Sequence, residues 1–375
     1  MTIKVCHVTS AHKRYDVRIF QKECISLSEN GYDVTLIVND EHATEELFGT
    51  TICSVKRKYS SRLQRILAIK SIFKMATDID ADIYHLHDPE LLLIAKKLKK
   101  LGKKVIFDSH EFYYEQIKTK SYIPQAVRSM IAQCYYKYET NVMRKIDAVV
   151  GVKPLLVDGK EIDPFKFRCQ RVVFIGNYPK KKNDLHINSK KTAEFKVCYA
   201  GGLTHERGIT YLIDACYKVG CTLILAGNFS SKEYHEKLKQ KESYQCVDYR
   251  GVCDRNEVYS IYNEASVGAA TLLNVGQYYK MNDFATKVIE YFQMQLPVII
   301  SNYPYAVKMN NNYNFGICVD PQNIDDIAAA LLKLKNNSEL VSRLGENGYS
   351  LYKEQFNWEN EEVKLLELYR ELNVR

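Results

Sequence analysis

The chain has 375 residues, 46% apolar and 26% charged, ordinary globular proportions that exclude a disordered, collagen-like or coiled-coil chain. At ~150 residues per domain this length predicts two domains or three. The formal net charge of +8 is lopsided: residues 1–180 hold 30 Lys+Arg and 21 Asp+Glu, and residues 181–375 hold 23 and 24.

Strand and helix patterns alternate from the start. Lys4–Thr9 reads as an apolar strand, and no charged region, apolar stretch and cleavage site of a leader accompany it. Asp16–Asn30 predicts a helix, with Ile19, Cys24 and Leu27 inward and Gly31 as its stop. Asp33–Val38 and Ile83–His87 are further strands. Asp88-Pro89 then opens a helix, Asp as cap and Pro at the first helical position. Lys104–Asp108, Ala148–Val152 and Val172–Ile175 complete the strands of this half. Residues 177–194 are polar and aperiodic and read as a linker. A second series follows: strands at Phe195–Ala200, Thr222–Ala226, Val247–Arg250, Val267–Leu272 and Val298–Ser301, with helices at Ile209–Val219, Glu257–Ala265, Thr286–Met294, Ile324–Lys335 and Asn360–Leu372. Two such series predict an α/β protein with two doubly wound, Rossmann-like parallel sheets and ligands beyond the carboxyl ends of their strands, in the cleft between the domains.

The basic excess concentrates in residues 51–145, with 19 basic and 9 acidic residues, and points to an anionic partner surface. Two helical segments carry it. Arg62–Lys74 places Leu63, Ile66, Leu67 and Phe73 at helical spacing among basic residues. Pro124–Lys145 does the same with Val127, Met130, Ile131, Cys134, Tyr135 and Tyr138. Such helices either lie on anionic lipid or pack on a core with a solvated face. No nucleic-acid-binding signature occurs. The eleven cysteines contain no C-x-x-C and read as small core residues in a reducing cytoplasm rather than as metal ligands. Asp78-Ile79-Asp80-Ala81-Asp82 precedes a strand and reads as a solvated loop.

No dinucleotide fingerprint or P-loop follows a strand. Gly201-Gly202-Leu203-Thr204-His205-Glu206-Arg207-Gly208 follows one and precedes a helix. It is either an anion site, with bare glycines, helix amides and the Arg207 fork converging on phosphate, or a plain turn with a solvated Arg. Lys287 and Glu290 share one helix face, as a phosphate ligand and a ribose ligand or as a surface ion pair. In the first half, His85, His87 and His110 fall at strand ends; one of His85 and His87 is expected in sheet packing, and His110, within Asp108-Ser109-His110-Glu111, is the better functional candidate.

These residues together resemble a family-four glycosyltransferase of the GT-B fold, nearest the bacterial enzymes of capsule, O-antigen and exopolysaccharide assembly. The resemblance runs from His7-Val8-Thr9-Ser10 and Asp16-Val17-Arg18-Ile19-Phe20 through His87-Asp88-Pro89-Glu90, Asp108-Ser109-His110-Glu111 and Asn177-Tyr178-Pro179. It continues through Gly201-Gly202 to Arg207-Gly208 and Thr286-Lys287-Val288-Ile289-Glu290, and ends at Phe356-Asn357-Trp358-Glu359.

The resemblance implies an acceptor domain over 1–176, a nucleotide-sugar domain over 177–353, and a helix over 354–375 crossing back to the first. It implies sugar transfer with retained anomeric configuration, without a cofactor or metal, from a nucleotide-sugar donor to a saccharide or lipid-linked saccharide. His110, Arg207 and Lys287 form the expected catalytic set. Gly201, Gly202, Arg207, Asn282, Lys287 and Glu290 form the donor set. Asn282, with Asp283 beside it, stands where the family has the first glutamate of a pair, and Gly202 stands where it has a basic residue. A cytoplasmic enzyme, peripheral on the inner membrane face through its basic half, is the expected setting. An NDP-sugar 2-epimerase of the same fold, or an inactive binding subunit, is the alternative.

Overall fold

The computed structural model describes residues 2–55, 62–119, 123–157, 160–181, 194–275 and 278–374. Its strands, in chain order, are β1 (Lys4–Val8), β2 (Asp33–Val38), β3 (Glu45–Leu47), β4 (Thr50–Ser54), β5 (Ile83–Leu86), β6 (Lys104–Ser109), β7 (Ala148–Gly151), β8 (Leu155–Val157), β9 (Lys160–Ile162), β10 (Val172–Phe174), β11 (Lys196–Ala200), β12 (Thr222–Ala226), β13 (Val247–Gly251), β14 (Val267–Ala270), β15 (Val298–Ser301) and β16 (Gly316–Val319).

The chain divides into two compact units. One comprises Met1–Pro154, Asp163–Asn177 and Trp358–Arg375; the other comprises Leu155–Ile162 and Tyr178–Asn357. Most of the sequence-read linker, residues 182–193, lies outside the described residues.

The first unit holds an eight-stranded sheet in the order β10-β7-β6-β5-β1-β2-β4-β3. It is parallel except for the edge strand β3. The strands are buried on both faces, so they read as apolar runs rather than as alternations. One face packs on Ala68, Ile72 and Ala76 of the helix Arg62–Ile79 and on Leu92, Ala95 and Leu98 of the helix Leu92–Lys100. The other packs on Ile19, Phe20 and Leu27 and on Trp358, Leu365 and Tyr369 of the last helix, Trp358–Val374. Trp358 is buried and donates from Nε1 to Ser26 Oγ at 2.9 Å. A core indole of this size supplies the burial energy, and its N–H finds the partner that burial demands.

The segment read as one helix from Asp16 is wound differently. Asp16 Oδ1 accepts from the amides of Arg18 and Ile19, both at 2.9 Å, as the cap residue should. The chain then makes a π-helix over Ile19–Cys24 before an α-turn over Ile25–Glu29. Side-chain spacing alone does not separate these windings, because burial of Arg18 and Glu23 selects between them.

The second unit holds an all-parallel six-stranded sheet in the order β13-β12-β11-β14-β15-β16. Leu212, Ile213, Leu331 and Leu334 cover one face from the helices Ile209–Val219 and Ile324–Lys335. Tyr262, Val288, Tyr291 and Leu351 cover the other. Strand order reverses at β11, where β12 lies on one side and β14 on the other, so the loop after β11 opens at a topological switch point.

Burial divides the apolar residues of the two basic helices, whose sequence left both a lipid-facing and a core-packed reading open. Leu67 is 71% and Met130 61% exposed, and Ile66, Ile131 and Cys134 are exposed as well, while Phe73 and Tyr138 pack against the core. The core also takes Ala68, Ile69 and Ile72, and Ala132, Val142 and Met143. The cysteines are not uniformly core residues, a correction to the sequence reading. Five are buried, five are partly exposed and Cys134 is exposed.

Candidate functional site

The loop after β11 is shaped by two glycines. Gly201 has φ of +137°, and a Cβ there would stand 2.9 Å from Lys287 Nζ. Gly227, ending β12, passes so close that a Cβ would stand 1.9 Å from the carbonyl oxygen of Gly201. Only glycine allows both the conformation and the approach. These bare strand ends line a cavity of about 370 Å³ with Cys253, Arg255, Lys287 and Glu290. Two helices start at it. Arg255–Glu264 is capped by Asp254, whereas Thr286–Gln293 follows Ala285 and has no side-chain cap among the described residues. The uncapped first amides and the dipole of the second helix favour an anion.

Lys287 is the focus of this cavity. It is 9% exposed, and among the described residues its Nζ has no hydrogen-bond partner. The ammonium sits 3.3 Å from the centroid of the Tyr199 ring, and Tyr199 donates to the carbonyl of Gly202 at 3.1 Å. Burial pushes the Lys287 pKa well below the usual lysine range. The nearby Arg207 cation pushes the same way, and Glu290 opposes. Two cations that repel each other in a dry site are poised for an anionic ligand that relieves both. Arg207 ends a short 3-10 turn, His205–Arg207, with its Nε 3.7 Å from where a Cβ on Gly202 would stand.

Glu290 is buried but does not pair with Lys287. Its Oε1 accepts from Arg255 Nη1 at 2.6 Å, and its Oε2 accepts from the Tyr262 hydroxyl at 2.9 Å. Asn282 faces elsewhere: its Nδ2 donates to Glu161 Oε1 on β9 at 2.8 Å. Its neighbour Asp283 accepts from the Tyr178 hydroxyl at 2.9 Å. The structure thus brings Gly201, Lys287 and Glu290 into one cavity with Arg207 and Gly202 beside it, and turns Asn282 toward the β8–β9 hairpin.

His110 belongs to the first unit, within a different constellation. His7 and His85 are register neighbours on β1 and β5. His87, two residues beyond His85, shares their sheet face, so neither His85 nor His87 is diverted into separate packing as the sequence reading expected; residues two apart point the same way. The rings are chained. Tyr369 hydroxyl contacts His85 Nδ1 at 2.9 Å and His7 Nε2 at 3.2 Å. His7 Nδ1 contacts His87 Nε2 at 2.9 Å, and His87 Nδ1 contacts His110 Nε2 at 3.2 Å. Arg18 donates to Asp108 from Nε at 2.8 Å and Nη2 at 3.1 Å, and its Nε lies 3.0 Å from Glu23 Oε1.

Burial and these charges set the protonation. Burial, reinforced by Arg18 against the opposing pull of Asp108, lowers His110 to about 3, so it is a neutral imidazole. Burial also lowers His7, His85 and His87. Burial raises Glu23 well above the carboxylate range despite Arg18, whereas Arg18 and His110 outweigh burial at Asp108 and lower it. Within the group, both Glu23 oxygens and His85 Nε2 have no hydrogen-bond partner among the described residues. The 2.9 Å contact of His7 with His87 is a direct hydrogen bond, shorter than the roughly 3.3 Å that two imidazoles bound at 2.0–2.1 Å to one tetrahedral ion would keep.

One imidazole at the edge of this array differs. His12 is 28% exposed, and its Nδ1 lies 3.3 Å from Asp88 Oδ1. Asp88 is itself held by the Thr9 hydroxyl and the Ser10 amide, each at 2.7 Å. Burial disfavours charge on His12, but Asp88 outweighs it and raises the pKa. The rings of His12 and His110 lie 4.8 Å apart. The sequence reading did not name His12, Asp88, Arg18, Glu23, Arg255, Tyr262 or Tyr199 as site residues. Only the D-x-x-E spacing of Asp254 and Glu257, a capping box that fixes Arg255 at its helix start, was a visible signal.

Residues 180–351 match the family "Glycosyl transferases group 1", and residues 21–158 match "Glycosyltransferase Family 4". The chain is similar to the alpha-D-kanosaminyltransferase of Streptomyces kanamyceticus, 21% identical over 187 residues, which is 48% of this chain and 46% of that one. It is also similar to a probable sucrose-phosphate synthase of Oryza sativa, 31% identical over 32% of this chain and 12% of that one. The chain therefore spans less than half the length of these curated relatives. Among solved structures, sucrose-phosphate synthase from Thermosynechococcus elongatus superposes with a TM-score of 0.76 at 16% identity, covering 99% of both chains. Anabaena HepE, solved with UDP and glucose, gives 0.69 at 13% identity, covering 98% of this chain and 100% of that one. The two halves of this chain thus match these two glycosyltransferase families in turn, and the whole chain shares the GT-B fold of the solved structures.

Proposed function

We propose that the chain transfers a sugar from a nucleotide-sugar donor to a saccharide acceptor, with the donor held by the second unit and the acceptor by the first. The observation that carries this reading is the buried ammonium of Lys287, beside Gly201 and Arg207 and without a hydrogen-bond partner among the described residues. A diphosphate supplies the missing charge, and the backbone there is bare enough to admit it. Fixed cations and helix amides, rather than a metal or cofactor, then stabilise the diphosphate as it leaves. The acceptor hydroxyl attacks on the face the leaving group departs from, a phosphate oxygen takes its proton, and the anomeric configuration is retained. Glu290 binds the ribose and neutral His110 hydrogen-bonds the transferred sugar. Anabaena HepE with UDP and glucose is a precedent for such ligands on this fold.

We extend the proposal to a lipid-linked acceptor in bacterial surface polysaccharide synthesis, at the inner membrane face. Its support is the exposed apolar side chains of Ile66, Leu67, Met130 and Ile131 on helices carrying Lys70, Lys74 and Lys137. No helix among the described residues is long and apolar enough to cross a membrane. Flotation with anionic liposomes at low salt tests this part, and a chain left at the bottom of the gradient rejects it.

The central test is incubation of the purified chain with UDP-, GDP- and ADP-sugars, with and without oligosaccharide acceptors, reading product anomers by NMR. Acceptor-dependent transfer with retention is expected, abolished by Lys287→Ala and Arg207→Ala. Conversion of donor alone to its epimer, or full turnover in both variants, overturns the assignment.

A further inference from the structure

Glu290 is 5% exposed, in a wall made by Tyr262, Val258 and Ala226. A carboxylate buried this deeply needs a counter-charge. The obvious partner, Lys287, lies one turn earlier and leaves it alone: Nζ has no hydrogen-bond partner among the described residues. The charge comes instead from another helix. Asp254 caps the helix Arg255–Glu264 and accepts from the amides of Asn256 and Glu257 at 2.8 and 2.9 Å. That cap fixes the first residue, Arg255, at the cavity.

From there the guanidinium reaches Glu290 Oε1 at 2.6 Å through Nη1 and the Tyr259 hydroxyl at 3.2 Å through Nη2. Tyr259 in turn donates to Gln293 Oε1 at 3.0 Å, so the fork is held at both prongs. Tyr262 takes the other carboxylate oxygen at 2.9 Å. A carboxylate has about four acceptor sites. One on each oxygen is spent inside the protein, and one on each remains for a pair of neighbouring hydroxyls.

We infer that Arg255 is a positioning residue that holds the Glu290 carboxylate oriented to bind both hydroxyls of a vicinal diol, so that the site selects ribonucleoside diphosphates over their 2′-deoxy counterparts. The inference rests on the donor reading above and adds to it the group that makes Glu290 selective. Arg255 does not touch the reacting atoms. It acts through Glu290, and Lys287 is left free for the diphosphate.

The test is calorimetric titration of the full chain with UDP, GDP and ADP and with the 2′-deoxy form of whichever binds most tightly. The wild-type chain prefers the ribo form by at least about tenfold, the worth of one hydrogen bond to a charged group. In Arg255→Ala that ratio falls to about threefold or less. Arg255→Lys, which keeps a cation within reach, restores most of it and also serves if the alanine variant does not fold. Wild-type affinities equal for both forms, an alanine variant with the wild-type ratio, or a lysine variant no better than alanine overturns the inference while leaving the donor site standing. A wild-type chain that binds none of the three diphosphates removes the donor reading, and this inference with it.

Discussion

Among the described residues the first unit buries twelve acidic, basic or histidine side chains and the second only three, and the two units use them in opposite ways. In the first, Arg18, Asp108, four histidines and Tyr369 are hydrogen-bonded to one another in a chained array, and both Glu23 oxygens and His85 Nε2 within it have no hydrogen-bond partner among the described residues. In the second, the Lys287 ammonium is left without a hydrogen-bond partner among the described residues, against an aromatic face and the bare Gly201. A chained array rigidifies; an open cation favours an anion. The difference supports the proposal that the second unit receives the charged part of the donor, even though the first unit carries the net positive charge. Net charge describes a surface, whereas an anionic ligand is drawn to a buried cation without a hydrogen-bond partner.

The comparison breaks most severely at Arg18. Arg18→Met leaves Asp108 and Glu23 facing each other without their cation. It should cost about 3–5 kcal/mol in urea unfolding; a loss under ~1 kcal/mol shows that the array is not what holds the first unit.

Lys287→Met sharpens the contrast, because its two effects have opposite sign. Turnover should fall by a factor equivalent to about 2.7–4 kcal/mol, while the ligand-free chain gains about 1–3 kcal/mol by losing an unsatisfied buried group. The sign of the pH effect follows from the lowered pKa. The unfolded chain holds the Lys287 proton more tightly than the folded one, so wild-type stability rises with pH below the ordinary value of 10.5. The variant lacks that rise, and its advantage shrinks toward alkaline pH. Paired melts at several pH values decide it, and an unchanged or lowered ligand-free stability contradicts the open-cation view.

Gly201→Ala probes the same opening from the backbone. A residue with a Cβ is strained at φ of +137° and sits 2.9 Å from Lys287 Nζ. A loss of about 1–3 kcal/mol, together with weaker stabilisation by nucleoside diphosphates in thermal shift, is expected.

The smallest effect is expected from His12. Its pKa is raised, so its pairing with Asp88 stabilises fully below the unfolded value of 6.5 and is lost as pH rises through the folded value. The difference is on the order of 1 kcal/mol, removed in His12→Asn. NMR titration should show His12 protonating above pH 6.5 while His110, lowered to about 3, stays neutral down to pH 5. Protonation of His110 near neutrality contradicts the burial argument.

Much of the fold was legible. Strands such as Asp33–Val38 and Thr222–Ala226 and the helix Ile209–Val219 announce themselves by apolar runs bounded by Gly and polar punctuation. The glycine loop before Arg207 and the Lys287–Glu290 spacing were legible because local chemistry requires those residue types there. The hairpins β3–β4 and β8–β9 and the helices Lys232–Lys239, Pro304–Tyr313 and Ser338–Glu354 were missed. The first four are short, whereas Ser338–Glu354 buries Val341, Leu344, Leu351 and Tyr352 at helical spacing, a period that was present in the sequence. The two basic helices were left open between two readings for a related reason: several of their larger apolar residues lie on the exposed side, and the core takes smaller ones such as Ala68 and Ala132.

The sequence by itself determined the alternation of strand and helix, the lopsided charge and the glycine-bounded anion loop, since all three follow from short-range preferences and counting. Only the tertiary structure decided that Glu290 pairs with Arg255 rather than Lys287, that Asn282 turns to Glu161, and that His7, His85 and His87 share one face with Glu23 and Tyr369. Pairing between residues 35 to 362 positions apart is settled by which side chains the packed sheets and helices bring within 3 Å, and no local pattern encodes that distance.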